Sequence, residues 1–175
     1  FLCSSLTNRV KLIENMQQQR EFVKVIKENE LIILKITSVY SGNVEDQKDL
    51  YQDIVYQLWK SYGTFKGDSK ISTWIYRVAL NTAITHFKRN KKLQQSTDFE
   101  IPERIEENDP LREEQINQLY TNIRQLNLIE KGLILLFLEG KSYDEIAKIT
   151  GFSKTNVGTR LGRIKQKLKS QIQNT

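Results

Sequence analysis

The sequence predicts an all-α fold of two small helical domains joined by a flexible acidic linker, and three observations carry that prediction. Apolar residues recur at helical spacing through most of the chain. One stretch between them, residues 93–114, is strongly acidic and holds both prolines, Pro102 and Pro110. The C-terminal part, residues 142–169, then carries in order every signal of a helix-turn-helix.

In that last stretch, SYDEIAKITGFSKTNVGTRLGRIKQKLK, Ser142 has Glu145 three residues on, the pattern of a capping box that starts a helix. Ile146, Ala147 and Ile149 make its inner face. Gly151 stands where the chain must turn with positive φ, and Phe152 follows as a buried anchor. A second helix starts at Ser153, with Val157, Leu161, Ile164 and Leu168 in one inward stripe. Its other faces carry Lys154, Thr155, Asn156, Thr159, Arg160, Arg163, Lys165, Lys167 and Lys169 without a single carboxylate. Such a helix suits a major groove, its first side chains meeting base edges and its later cations meeting phosphates; an ordinary solvated basic face is the bland alternative.

The 175 residues suffice for one domain or two small ones, and a net charge of +6 favours a polyanionic partner, nucleic acid before membrane. No apolar run approaches the roughly 20 residues that span a bilayer. Cys3 is the only cysteine and His86 the only histidine, so a zinc site, an internal disulfide or a histidine-based triad lacks raw material, and neither enzymatic chemistry nor a metal or other cofactor is expected. The opening FLCSS has neither the basic start nor the apolar core of a secretory signal, and a reducing cytoplasm is the expected setting. Met16 offers a true start, which makes residues 1–15 an upstream extension; a helical N-terminal arm is the competing reading.

Residues 21–40 read as a buried helical segment through Phe22, Val23, Ile26, Leu31, Ile32, Leu34 and Ile36, broken by Ser41-Gly42-Asn43. Residues 46–62 form the next helix, with Leu50, Ile54 and Leu58 inward. Residues 61–72, SYGTFKGDSKIS, are a loop around Phe65. Residues 73–90 make a helix apolar on most of its circumference, on which Arg77, Asn81, Thr85 and Lys88 leave one polar stripe running into Lys88-Arg89-Asn90-Lys91-Lys92. Cations at a helix C-terminus suit the helix dipole by themselves; a whole stripe is harder to dismiss. Beyond the linker, helices over residues 116–126 and 128–139 lead through Gly140 into the helix-turn-helix, giving a four-helix C-terminal domain. The division is a 1–20 extension, a 21–92 domain, a 93–110 linker and a 111–175 domain.

At this point two blocks resemble a known family. DLYQDIVYQLW (residues 49–59) with FKGDSKISTWIYRVALNTAITHFKRNKK (residues 65–92) is similar to region 2 of bacterial sigma factors, and residues 142–169 are similar to their region 4. The order, the spacing and the acidic linker resemble the short extracytoplasmic-function group of the sigma-70 family. The resemblance implies that Asp49, Gln52, Asp53 and Tyr56 dock on core RNA polymerase, and that Phe65, Arg77, Asn81 and Thr85 receive the melted strand of a minus-ten element. It implies that Lys88, Arg89, Lys91 and Lys92 grip phosphates and that Lys154, Thr155, Asn156, Thr159, Arg160 and Arg163 read the minus-thirty-five element of promoter DNA. The family departs here at Gly158 and Gly162, where longer residues are usual. An anti-sigma factor is a further partner the family implies. A stand-alone helix-turn-helix regulator with a helical sensor or dimerisation domain is the rival reading; a helical adaptor that binds no DNA leaves both cationic faces unexplained.

Overall fold

The computed structural model describes residues 2–90 and 110–173. Among them every regular element is a helix, in the order α1 (Leu2–Glu28), α2 (Glu30–Tyr40), α3 (Val44–Tyr62), α4 (Ile71–Asn90), α5 (Pro110–Arg124), α6 (Leu128–Leu138), α7 (Tyr143–Thr150) and α8 (Lys154–Gln173). The expected linker lies outside the described residues except for Pro110, which opens α5, a position where its missing N–H costs nothing.

The first lobe packs α2, α3 and α4 together, with α1 laid against α3. The segment expected as one helix over residues 21–40 is two, because Asn29 leaves helical geometry (φ −119°, ψ 14°) and its side-chain amide donates to the Val25 carbonyl at 2.9 Å. An asparagine that satisfies the preceding turn with its own side chain competes with the ladder. Ile33, Ile36 and Val39 are then fully buried, but Val23, Leu31 and Leu34 from the same apolar list stay exposed. Asn43 caps α3 by accepting from the Asp46 N–H, and Leu50, Ile54 and Leu58 turn inward as their spacing requires. The loop after α3 reaches positive φ at Gly67, and α4 begins at Ile71, two residues before the expected start.

The second lobe is α5 to α8. Asn127 and Glu130 form a capping box on α6, and Ser142 and Glu145 form the expected one on α7. Gly151 takes φ 79°, and α8 follows at Lys154 with the Ser153 hydroxyl accepting from the Asn156 N–H. Val157, Leu161, Ile164 and Leu168 are all buried, whereas Phe152 is only partly covered.

The lobes share one hydrophobic core: α2 lies against α5 and α6, and α4 against α6 and α7. Tyr40 is the peg of this seam. Its hydroxyl donates to the Leu128 carbonyl at 2.6 Å, and a Cβ on Gly132 would stand only 3.0 Å from the same oxygen. Glycine there lets α6 approach. Around the peg, Lys35 pairs with Glu139 at 2.7 Å, Tyr76 donates to Glu139 at 3.3 Å, and Arg124 donates to the Ser38 carbonyl at 3.1 Å.

Candidate nucleic-acid interface

The polar stripe of α4 is where its spacing placed it: Arg77, Asn81, Thr85 and Lys88 are all exposed. The reason is geometric, since Ile75, Tyr76, Ala79, Leu80, Ala83 and His86 take the opposite circumference into the core. Asn81, Thr85 and Arg89 converge on a groove between α3 and α4 of about 660 Å³, whose other wall includes Lys60, Ser61 and Thr64. Lys60 adds a cation that the reading of α4 by itself passes over. The signal for it lies in register: Lys60 is one turn beyond Gln57 and two beyond Asp53, on the α3 face that meets α4.

Arg77 is drawn to the second lobe, donating from its guanidinium to the Lys148 carbonyl near the end of α7. That carbonyl belongs to a last helical turn and attracts a cation for the usual reason. Phe65 is not part of the groove wall. Its ring lies against Trp74 at 5.1 Å, at the end of an aromatic row that continues through Tyr62 to Phe22 and Trp59. Trp74 thus packs on the core.

On α3, Asp49, Gln52 and Tyr56 face outward together. Asp53 differs from its three companions, because it points toward α4. One of its carboxylate oxygens receives His86 Nδ1 at 2.8 Å and Arg89 at 3.0 Å. Asp46 meets His86 Nε2 at 3.0 Å on the other side of the ring. Nothing in composition marks this buried histidine; only the tertiary contact of α3 with α4 brings Asp46, Asp53, His86 and Arg89 together. Lys91 and Lys92 lie outside the described residues.

On α8, Lys154, Thr155, Asn156, Thr159 and Arg163 are exposed in one continuous surface. Arg160 is partly covered: its Nε donates to Asn156 Oδ1 at 2.7 Å and its guanidinium lies 4.8 Å from the centre of the Phe152 ring. Arg160 and Asn156 are therefore preorganised against each other. Lys154 pairs with Asp144 of α7 at 2.7 Å, an exposed bridge that competing phosphates can open cheaply. Gly158 has an internal reason, since a Cβ would stand 3.4 Å from the Tyr143 ring, whereas Gly162 faces open space. Among the described residues, no group of His, Cys, Asp and Glu is arranged to hold a metal, and no helix is long and apolar enough to cross a membrane.

A helical protein presenting one cationic groove and one helix-turn-helix is a nucleic-acid-binding protein of the helix-turn-helix class. Comparison with known proteins narrows the class. Residues 25–93 match the family model of sigma-70 region 2 and residues 116–168 that of sigma-70 region 4. The chain is 26% identical to the sigma-H factor of Pseudomonas aeruginosa over 93% of each protein. It is 29% identical to the sigma factor YlaC of Bacillus subtilis, over 74% of this chain and 79% of YlaC, and 26% identical to the extracytoplasmic-function sigma-E factor of Escherichia coli, over 98% and 97%. Two solved structures share the fold. CnrH, in complex with the cytosolic domain of CnrY, has TM-score 0.66 and 18% identity over 89% of this chain and 90% of CnrH. RpoE of Bartonella quintana, in complex with the anti-sigma factor NepR, has TM-score 0.67 and 19% identity over 84% and 95%. The chain belongs to the sigma-70 family, in its extracytoplasmic-function group, and its function is promoter-directed initiation of transcription.

Proposed function

We propose that the two lobes divide one promoter between them. The lobe over residues 21–92 takes the melted minus-ten strand into the groove between α3 and α4, where Asn81 and Thr85 offer hydrogen bonds and Lys60, Lys88 and Arg89 supply the charge, with Lys91 and Lys92 continuing it. Phe65 lies beside this path, and Arg77 joins it on leaving the Lys148 carbonyl. Extruding a base costs a few kcal/mol, which a shaped groove with a basic flank offsets. The lobe over residues 111–175 reads the minus-thirty-five duplex through Lys154, Thr155, Asn156, Thr159, Arg160 and Arg163. Asp49, Gln52 and Tyr56 dock core RNA polymerase from the outward face of α3, with Asp53 at their inner margin.

The observation that carries this reading is the convergence of Asn81, Thr85 and Arg89 on one groove while a second, separate cationic helix stands exposed on α8. The chain itself catalyses nothing; the polymerase does the chemistry, in the cytoplasm. The solved neighbours are held by CnrY and NepR, and we assign this chain a partner of the same anti-sigma kind. In vitro transcription with purified core polymerase and a promoter library tests the proposal. Initiation from a defined promoter set, with Arg160→Ala changing preference at minus-thirty-five and Asn81→Ala at minus-ten, supports it. Unchanged preference in both variants would overturn the residue assignments.

A further inference from the structure

We propose that the seam between the lobes is a latch that withholds Arg77 from DNA, and that the buried ammonium of Lys131 keeps the latch weak enough for core polymerase to open it. The inference rests on the division of the promoter given above. With the seam closed, α4 lies against α7, and the Arg77 guanidinium, on the stripe assigned to the melted strand, donates to the Lys148 carbonyl. Lys148 precedes Lys154, the first residue of α8, by six positions, which at about 3.5 Å per residue is at most ~21 Å of chain. Adding the two reading stripes, residues 77–88 of α4 and 154–163 of α8 at about 1.5 Å per residue, brings the greatest reach to roughly 60 Å. A minus-ten and a minus-thirty-five element are centred about 25 base pairs apart, or ~85 Å of straight duplex at about 3.4 Å each. The closed form cannot occupy both. The lobes must part, and Arg77 comes free when they do.

What holds the seam and what loosens it stand side by side on α6. Gly132 admits Tyr40, whose hydroxyl donates to the Leu128 carbonyl at 2.6 Å. Glu139 takes Lys35 at 2.7 Å and Tyr76 at 3.3 Å, and Arg124 donates to the Ser38 carbonyl at 3.1 Å. Each of these bonds crosses from one lobe to the other. Lys131 crosses as well, but its ammonium meets the rings of Tyr40 and Phe87, 5.8 and 5.4 Å from their centres, and feels the like charge of Arg124. Its pKa of about 8 leaves it charged at neutral pH. Closing the seam therefore takes water from a cation whose neighbours, among the described residues, are two rings and a second cation. Parting returns that water. A methionine, similar in length and adaptable in shape, keeps the contact with both rings and removes this reason to part.

The test uses the full chain and follows how fast it forms an initiation-competent complex with core polymerase on a promoter from the library, at limiting polymerase and matched amounts of folded protein, alongside thermal melts. Only parted molecules can be captured, so the rate follows their fraction. Lys131→Met is expected to melt higher than wild type and yet to be captured about fivefold more slowly or worse. Tyr40→Phe, which removes the bond to Leu128, is expected to melt lower and to be captured faster. A residue that only stabilised the fold would move rate and stability together or leave the rate alone. A Lys131→Met chain that melts lower, or is captured at the wild-type rate or faster, would overturn the inference and leave the function intact. Tyr40→Phe captured no faster than wild type would do the same, and it reads the latch whether or not Lys131→Met folds. A wild type that forms no initiation-competent complex would instead count against the function on which the inference rests.

Discussion

Gly158 and Gly162 show how residues of one type, four apart on one helix, answer to different forces. Gly158 is small because the Tyr143 ring occupies the space a side chain would need, so the α7–α8 contact accounts for it. Gly162 meets nothing and keeps the helix cost of glycine, about 1 kcal/mol relative to alanine. Gly162→Ala is therefore expected to stabilise the chain by about 0.5–1 kcal/mol, read as a melting temperature about 1–4 °C higher. Gly158→Ala should gain less, because its methyl presses on Tyr143. Equal gains at the two positions in thermal melts would show that ring contact to be immaterial. Arg160 is the other residue-scale case: periodicity places it on the outer face, yet the Phe152 ring and Asn156 decide the direction of its guanidinium.

At the scale of an element, α7 is eight residues long, too short to persist alone, and depends on its ends. The Ser142 hydroxyl donates to Glu145 Oε2 at 2.8 Å and accepts from the Glu145 N–H, while the Ser142 N–H donates to the same carboxylate at 2.9 Å. The Ser142 N–H first, and then its hydroxyl, hold the Glu145 carboxyl below the usual glutamate range. A depressed acid supports the fold above the usual range and ceases to do so as pH falls from there through its lowered folded value, so the box weakens in acid. Ser142→Ala should cost about 1 kcal/mol at neutral pH, with faster amide exchange in the first turn of α7, and the difference from wild type should shrink in acid. A constant difference across that range would assign the effect to something other than the box. The capping pattern here was legible three residues apart in the sequence, as was the inward stripe of α8. The break at Asn29 was not, because apolar content runs unchanged across it and only the side-chain bond to Val25 marks it.

For the molecule as a whole, the seam between the lobes is held by a peg and weakened by a charge. Lys131 on α6 is 6% exposed, with its ammonium 5.8 Å from the Tyr40 ring centre and 5.4 Å from that of Phe87, both in the other lobe. Burial, and secondarily the Arg124 charge, push its pKa down to about 8. Below about pH 8 the folded and unfolded chains both carry the proton, so the penalty of burying it is fully present. It is relieved as pH rises from there toward the ordinary lysine value of 10.5. Lys131→Met is expected to stabilise the chain by about 1–3 kcal/mol at pH 7, with the gain fading in melts toward pH 10. A destabilised variant would mean that the two rings more than offset the buried charge. The sequence alone determined the helices from α3 onward, the inward faces of α3 and α8, the helix-turn-helix and the cationic stripe on α4, because each follows from spacing within one segment. The tertiary structure decided that Gly132 admits Tyr40, that Arg77 reaches Lys148, and that Asp53, Asp46, Arg89 and His86 share one cluster. Those pairings join residues more than thirty positions apart, and the local pattern of a chain holds no record of which distant segments will meet.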